Sequence, residues 1–141
     1  MVPVYAPGSL RLLHPVNAIL LAFPLPLFLG ALLSDLAYWS SAHVQWANFS
    51  SWLIAGGLLV GAFAVLWALV ELFRGGPAGN KVIYFVLLLT MWVLAFVNAL
   101  VHAKDAWATM PHGLFLSAIV AILALVASFI GYSGFRAGGV K

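Results

Sequence analysis

The chain contains no cysteine and very little charge, with six Lys or Arg and three Asp or Glu among 141 residues. Without thiols there are no disulfides, no thiolate zinc or iron–sulfur sites and no covalently attached c-type haem. Any metal or cofactor would have to be held by His, Asp, Asn or Met. Charged residues make up 6% of the chain, against roughly 25% in an ordinary soluble domain, which is too little to solvate a surface. The cations are scattered, so the clustered basic face that nucleic acid requires is missing as well. No Gly-rich phosphate loop or G-x-S-x-G elbow is present, and no Ser stands at a spacing that suggests His and Asp partners. An independent enzyme is not expected.

What is present is apolar: 65% of residues are hydrophobic and the mean hydropathy is +1.14. A membrane-spanning helix needs about 20 such residues, and four stretches qualify, at roughly 16–39, 49–73, 82–101 and 113–135. The prediction is an all-α integral membrane four-helix bundle, a single transmembrane domain over residues 1–141. Asn48, Ser50 and Ser51 offer N-caps for the second span. Gly75, Gly76, Pro77 and Gly79 interrupt the chain before the third span, and Pro111 precedes the fourth, where a missing N–H costs little. Pro24 and Pro26 should kink or locally unwind the first. That span is too long and too polar at its end for the apolar core of a cleaved signal peptide, so it is read as a retained helix.

Cations in short loops mark the cytoplasmic side. Arg11, Arg74, Lys81, Arg136 and Lys141 fall on one face and only Lys104 on the other. Both termini are therefore expected in the cytoplasm of a bacterium whose inner membrane holds the chain. The outer face then carries Asp35, His43, His102, Asp105 and His112 with an interfacial belt of Trp39, Trp46, Trp52 and Trp107. His14 and Glu71 belong to the inner face. Gly57 and Gly61, four residues apart, let helix backbones approach closely; packing inside the bundle is favoured over dimerisation.

The two outer-facing segments resemble a known family. Ser34-Asp35-Leu36-Ala37-Tyr38-Trp39, then Trp46-Ala47 and Ser51-Trp52-Leu53-Ile54-Ala55, are similar to the start of the predicted bacterial membrane proteins grouped as domain of unknown function twenty-two thirty-one. Asn98-Ala99-Leu100-Val101-His102-Ala103-Lys104-Asp105-Ala106-Trp107 resembles that family's most distinctive motif, and His14-Pro15 with Phe23-Pro24 its opening. The resemblance implies a four-helix membrane protein without a settled activity, and it points to His14, Asp35, Asn98, His102, Asp105 and Trp107. Lys104 stands where that pattern has Arg, Glu71 where it has Asp, and His43 and His112 lie outside it.

Polar groups within a span are costly and default to functional candidates. Asn98 and His102 share one helix face, and Asp105 follows as an expected continuation of that polar stripe. Three chemistries suit them. In the first, His102 and His112 ligate a b-type haem, with Asn98 in support. In the second, His102 with Asp105, Asp35 or His43 holds a divalent metal. Quinone binding at the outer face is the third. Against these stands plain ion pairing, with His102 meeting Asp105, Asp35 meeting Lys104, and Glu71 meeting Arg74 three residues on. The expected function is a small accessory or membrane-anchor subunit with a redox role at its outer face. The alternatives are a purely structural scaffold without cofactor and, further off, a small transporter when oligomeric. Expected partners are the lipid bilayer and a homo-oligomer or larger membrane complex.

Overall fold

A computed structural model describes residues 15–74 and 79–133, all of it helix or short connection, with no strand among the described residues. Six helices occur in order: α1 (Pro15–Ala22), α2 (Pro24–Ser41), α3 (Val44–Phe73), α4 (Gly79–His102), α5 (Ala106–Thr109) and α6 (His112–Ser133). Four segments are long and apolar enough to cross a membrane: Pro15–Ser41, Val44–Phe73, Lys81–His102 and His112–Ser133. The first joins α1 to α2. Its helix breaks at Phe23, immediately before Pro24, because a proline supplies no N–H and crowds the preceding residue.

The spans form a closed ring in which α3 and α6 each lie between α2 and α4. Sequence neighbours are thus spatial neighbours, and the last span closes on the first. Arg11, His14, Gly75 and Pro77, with Arg136 and Lys141, lie outside the described residues.

The interior is built from small side chains. Along α3 the buried positions are Ala47, Ser50, Ile54, Gly57, Gly61, Ala64 and Ala68, alternating steps of three and four that keep one narrow seam inward. Large apolar groups such as Leu59, Phe63, Leu66 and Val70 of the same helix face outward. This reverses a soluble protein's arrangement, because lipid solvates leucine as well as a core does and helices gain by close approach instead. Phe28, Leu88, Met91, Ala95, Val120 and Ala124 fill the middle.

One boundary differs from the sequence reading. The second span starts at Val44, with His43 as its extended N-cap residue, so Asn48, Ser50 and Ser51 are helical and cap nothing. The reversal from α2 takes only Ala42 and His43; Ala42 adopts a left-handed conformation (φ 56°) and donates its N–H to the Tyr38 carbonyl at 2.8 Å. That closure recovers one of the carbonyls a helix end leaves unpaired. The early start also turns Ser50 from a cap into an interior group.

Candidate functional site: a buried Asp–His pair

The four spans meet around polar groups near the His102 end of the bundle. Asp35 lies six residues before the end of α2, Ser50 six residues after the start of α3 and Ser117 five residues after the start of α6, while His102 closes α4. At 1.5 Å per residue these positions lie within about 9 Å of the helix ends. The side chains of His102 and Asp35 are 1% and 0% exposed, and Nε2 stands 2.9 Å from Oδ1. Asn98, Ser50 and Ser117 are buried beside them.

The protons on His102 Nδ1, Ser50, Asn98 and Ser117 can be placed from their partners. The Asn98 main-chain oxygen only accepts, so His102 Nδ1 carries hydrogen and donates to it across 3.0 Å. Ser50 gives its hydroxyl proton to the Ala31 carbonyl at 3.2 Å, leaving a lone pair toward His102 Nε2 at 3.4 Å. Ser117 accepts from Asn98 Nδ2 at 2.8 Å and donates to Asp35 Oδ2 at 2.5 Å. Nε2 faces Asp35 Oδ1 at 2.9 Å and Ser50 Oγ at 3.4 Å, and one proton shared between Nε2 and Oδ1 joins the ring to the carboxyl group. Whether that proton rests on the ring or on the carboxyl group, the unit carries no net charge. Mutual pairing and hydrogen bonding are the conditions under which ionisable groups are held away from water. Asn98 Oδ1 is the one buried atom of the cluster without a hydrogen-bond partner.

The backbone makes room for the ring. A Cβ on Gly113 would fall 2.8 Å from His102 Cε1 and 2.7 Å from Thr109 Cγ2. Only glycine lets the first turn of α6 sit against the imidazole at this distance.

Of the residues singled out from sequence, Asp35, Asn98 and His102 come together. His43, Asp105 and His112 are exposed outside the buried cluster, and His14 lies outside the described residues. The stripe expected to run on to Asp105 stops at His102, because α4 ends there and Asp105 takes the N-cap position of the four-residue α5. Two pairings change accordingly. His102 meets Asp35 instead of Asp105, and Asp35, fully buried, meets His102 instead of the exposed Lys104. Glu71 and Arg74 do pair, at 3.6 Å. Trp107 is exposed at the same end, beside a cleft it shares with Tyr38, Trp39 and Met110.

Both ring nitrogens of His102 are engaged within the bundle, Nδ1 by the Asn98 carbonyl and Nε2 by Asp35. Among the described residues no three His, Asp or Glu are grouped as a metal site. Gly57 faces Phe28 of α2 and Gly61 faces Trp92 and Met91 of α4, so both approaches lie inside one bundle. The sequence reading did not single out Ser117 as a site residue. The signal was faint, since a lone serine in an apolar helix more often bonds its own preceding turn, as Ser34 does to the Gly30 carbonyl at 2.8 Å.

A family model described as "Predicted membrane protein (DUF2231)" matches residues 13–140. No curated protein and no solved structure matches the chain.

Proposed function

Because the chain belongs to the DUF2231 family of predicted membrane proteins, we propose that it acts as an accessory or membrane-anchor subunit of a bacterial inner-membrane assembly, a scaffold whose helix register is fixed by the Asp35–His102 pair. One observation carries this reading: both imidazole nitrogens of His102 are committed to partners within the bundle, Asp35 and the Asn98 carbonyl. Chemistry at the ring, whether haem or metal ligation or hydrogen bonding to a quinone, would first have to break one of these buried hydrogen bonds. Phe28, Leu88, Met91 and Val120 fill the interior between the polar cluster and the opposite end, which supports a scaffold over a transporter because the described residues of a single copy offer no polar path for a solute.

The test is purification from native membranes in mild detergent, with an absorption spectrum and zinc, iron and copper analysis. The expected preparation has no Soret band and no stoichiometric metal, and it migrates as a particle larger than the 15.1 kDa chain in its detergent shell. A haem or metal lost in His102→Ala would establish the redox role instead, and a monodisperse single chain would remove the subunit role.

The same reading includes an orientation. An even number of candidate spans supports both ends of the chain lying on one side, and the excess of cations at Arg11, Arg74, Lys81, Arg136 and Lys141 supports the cytoplasm as that side. Reporter tags at residues 1 and 141 are both expected to report cytoplasm. Periplasmic labelling of either would invert the protein and put the Asp35–His102 pair at the inner surface.

A further inference from the structure

At the end of the bundle opposite the Asp–His pair, a cleft of about 410 Å³ lies between α1 and α3 and opens outward. Val16 and Leu20 of α1 face Phe63, Leu66 and Val70 of α3 across it, and Arg74 stands at its end. From Phe63 to Arg74 is eleven residues of α3 and its cap, about 16 Å of helix. The hydrocarbon core is about 30 Å thick, so the apolar part of the cleft is one leaflet deep and the guanidinium lies at headgroup level.

From this geometry we propose that the cleft is a binding site for an anionic glycerophospholipid, one acyl chain lying between α1 and α3 and the phosphate meeting Arg74. The volume suits one chain. The charge suits a phosphate, which guanidinium recognises with paired N–H donors. Arg74 touches Glu71 through Nη1 at 3.6 Å, with its side chain 64% exposed, and this long contact uses one of five donors. Lys81 adds a second cation at this edge, its Nζ donating to the Glu71 main-chain oxygen at 3.2 Å. A zwitterionic headgroup would bring its own ammonium toward these two cations, so the site discriminates by net charge.

The test adds phosphatidylglycerol or phosphatidylcholine with identical acyl chains to the purified full chain in neutral detergent, reading retained lipid by native mass spectrometry and the thermal shift. Wild type is expected to retain one phosphatidylglycerol in preference to phosphatidylcholine. Arg74→Gln should weaken phosphatidylglycerol binding about fivefold, as expected for one cation at an anionic interface, and abolish the preference. Val70→Trp, or Leu66→Trp should that variant fail to fold, fills the cleft and should displace both lipids. The proposal is overturned if the two lipids bind equally to wild type, if the preference survives Arg74→Gln, or if Lys141→Gln weakens binding as much, which would mean a general charge effect. Binding that survives the filled cleft overturns it too, as does a thermal shift that follows protein concentration instead of lipid, which would seat a second copy of the chain there.

Discussion

Asp35→Ala is expected to lower the stability of the bundle by about 3–5 kcal/mol, the cost of removing one partner from a buried acid–base pair and stranding the other. His102→Ala should cost a similar amount, because the carboxylate left behind is 0% exposed and keeps only its bond from Ser117. Asp35→Asn should be far milder. With the ring neutral, Nδ1–H still donates to the Asn98 carbonyl, the new amide N–H donates to the Nε2 lone pair, and the amide oxygen accepts from Ser117. All of these bonds use atom positions already present. Neutral hydrogen bonds within membrane bundles are worth only about 0.6–2 kcal/mol, so the loss from wild type to Asp35→Asn measures what the acid–base proton contributes, and the gap between the Ala and Asn variants what the neutral bonds contribute. Reversible unfolding in mixed detergent is the readout. The Asp35→Ala/His102→Ala double variant should be less destabilised than the sum of the singles, with a coupling of about 0.5–3 kcal/mol. Additive losses would show that the two groups do not pair, and equal losses from Asp35→Ala and Asp35→Asn would show that the neutral bonds of the Asn variant do not form.

The spans were legible because hydropathy is one-dimensional information, and so was the break before Pro24, which follows from proline's own geometry. The facing of each helix was not. In a soluble helix polarity marks the outward side, but here Leu59, Phe63 and Leu66 look outward while Ser50, Gly57 and Ala64 look inward, so hydrophobic periodicity says little about rotation. Asn98 and His102 could be placed on one face because they share a helix. The partner of His102, 67 residues away on α2, depends on how two helices turn toward each other. Asp105 looked closer along the chain, and α4 ended before it could join. Size carried the facing signal instead, in the small residues of α3, of which the sequence reading caught Gly57 and Gly61.

Those two glycines are expected to respond very differently. A Cβ on Gly57 would fall 2.5 Å from Phe28 Cε1 and 2.7 Å from Cζ, and Phe28 is 1% exposed at the centre of the core. The ring has nowhere to rotate, so α2 and α3 must separate, and overpacking of this kind costs about 1–3 kcal/mol even for a methyl group. Gly57→Leu should do worse, opening the contact along the whole α3 seam. A Cβ on Gly61 would stand 3.3 Å from Trp92 Cδ1 and 4.0 Å from Met91 Cε. Trp92 is pinned by its Nε1–H bond to the Leu58 carbonyl at 3.0 Å and by stacking on Phe96, yet a shift of a few tenths of an ångström relieves the contact. Gly61→Ala should therefore cost under about 1 kcal/mol, less than the usual penalty for overpacking a core. Detergent melting of the two alanine variants checks the ranking, and size-exclusion chromatography checks its cause. Both approaches lie within one bundle, so particle size should stay constant while stability falls in Gly57→Ala. A smaller particle at unchanged stability would place Gly57 between copies of the chain, and equal melting losses in the two variants would mean that the fit of Phe28 against Gly57 does not limit how closely α2 and α3 pack.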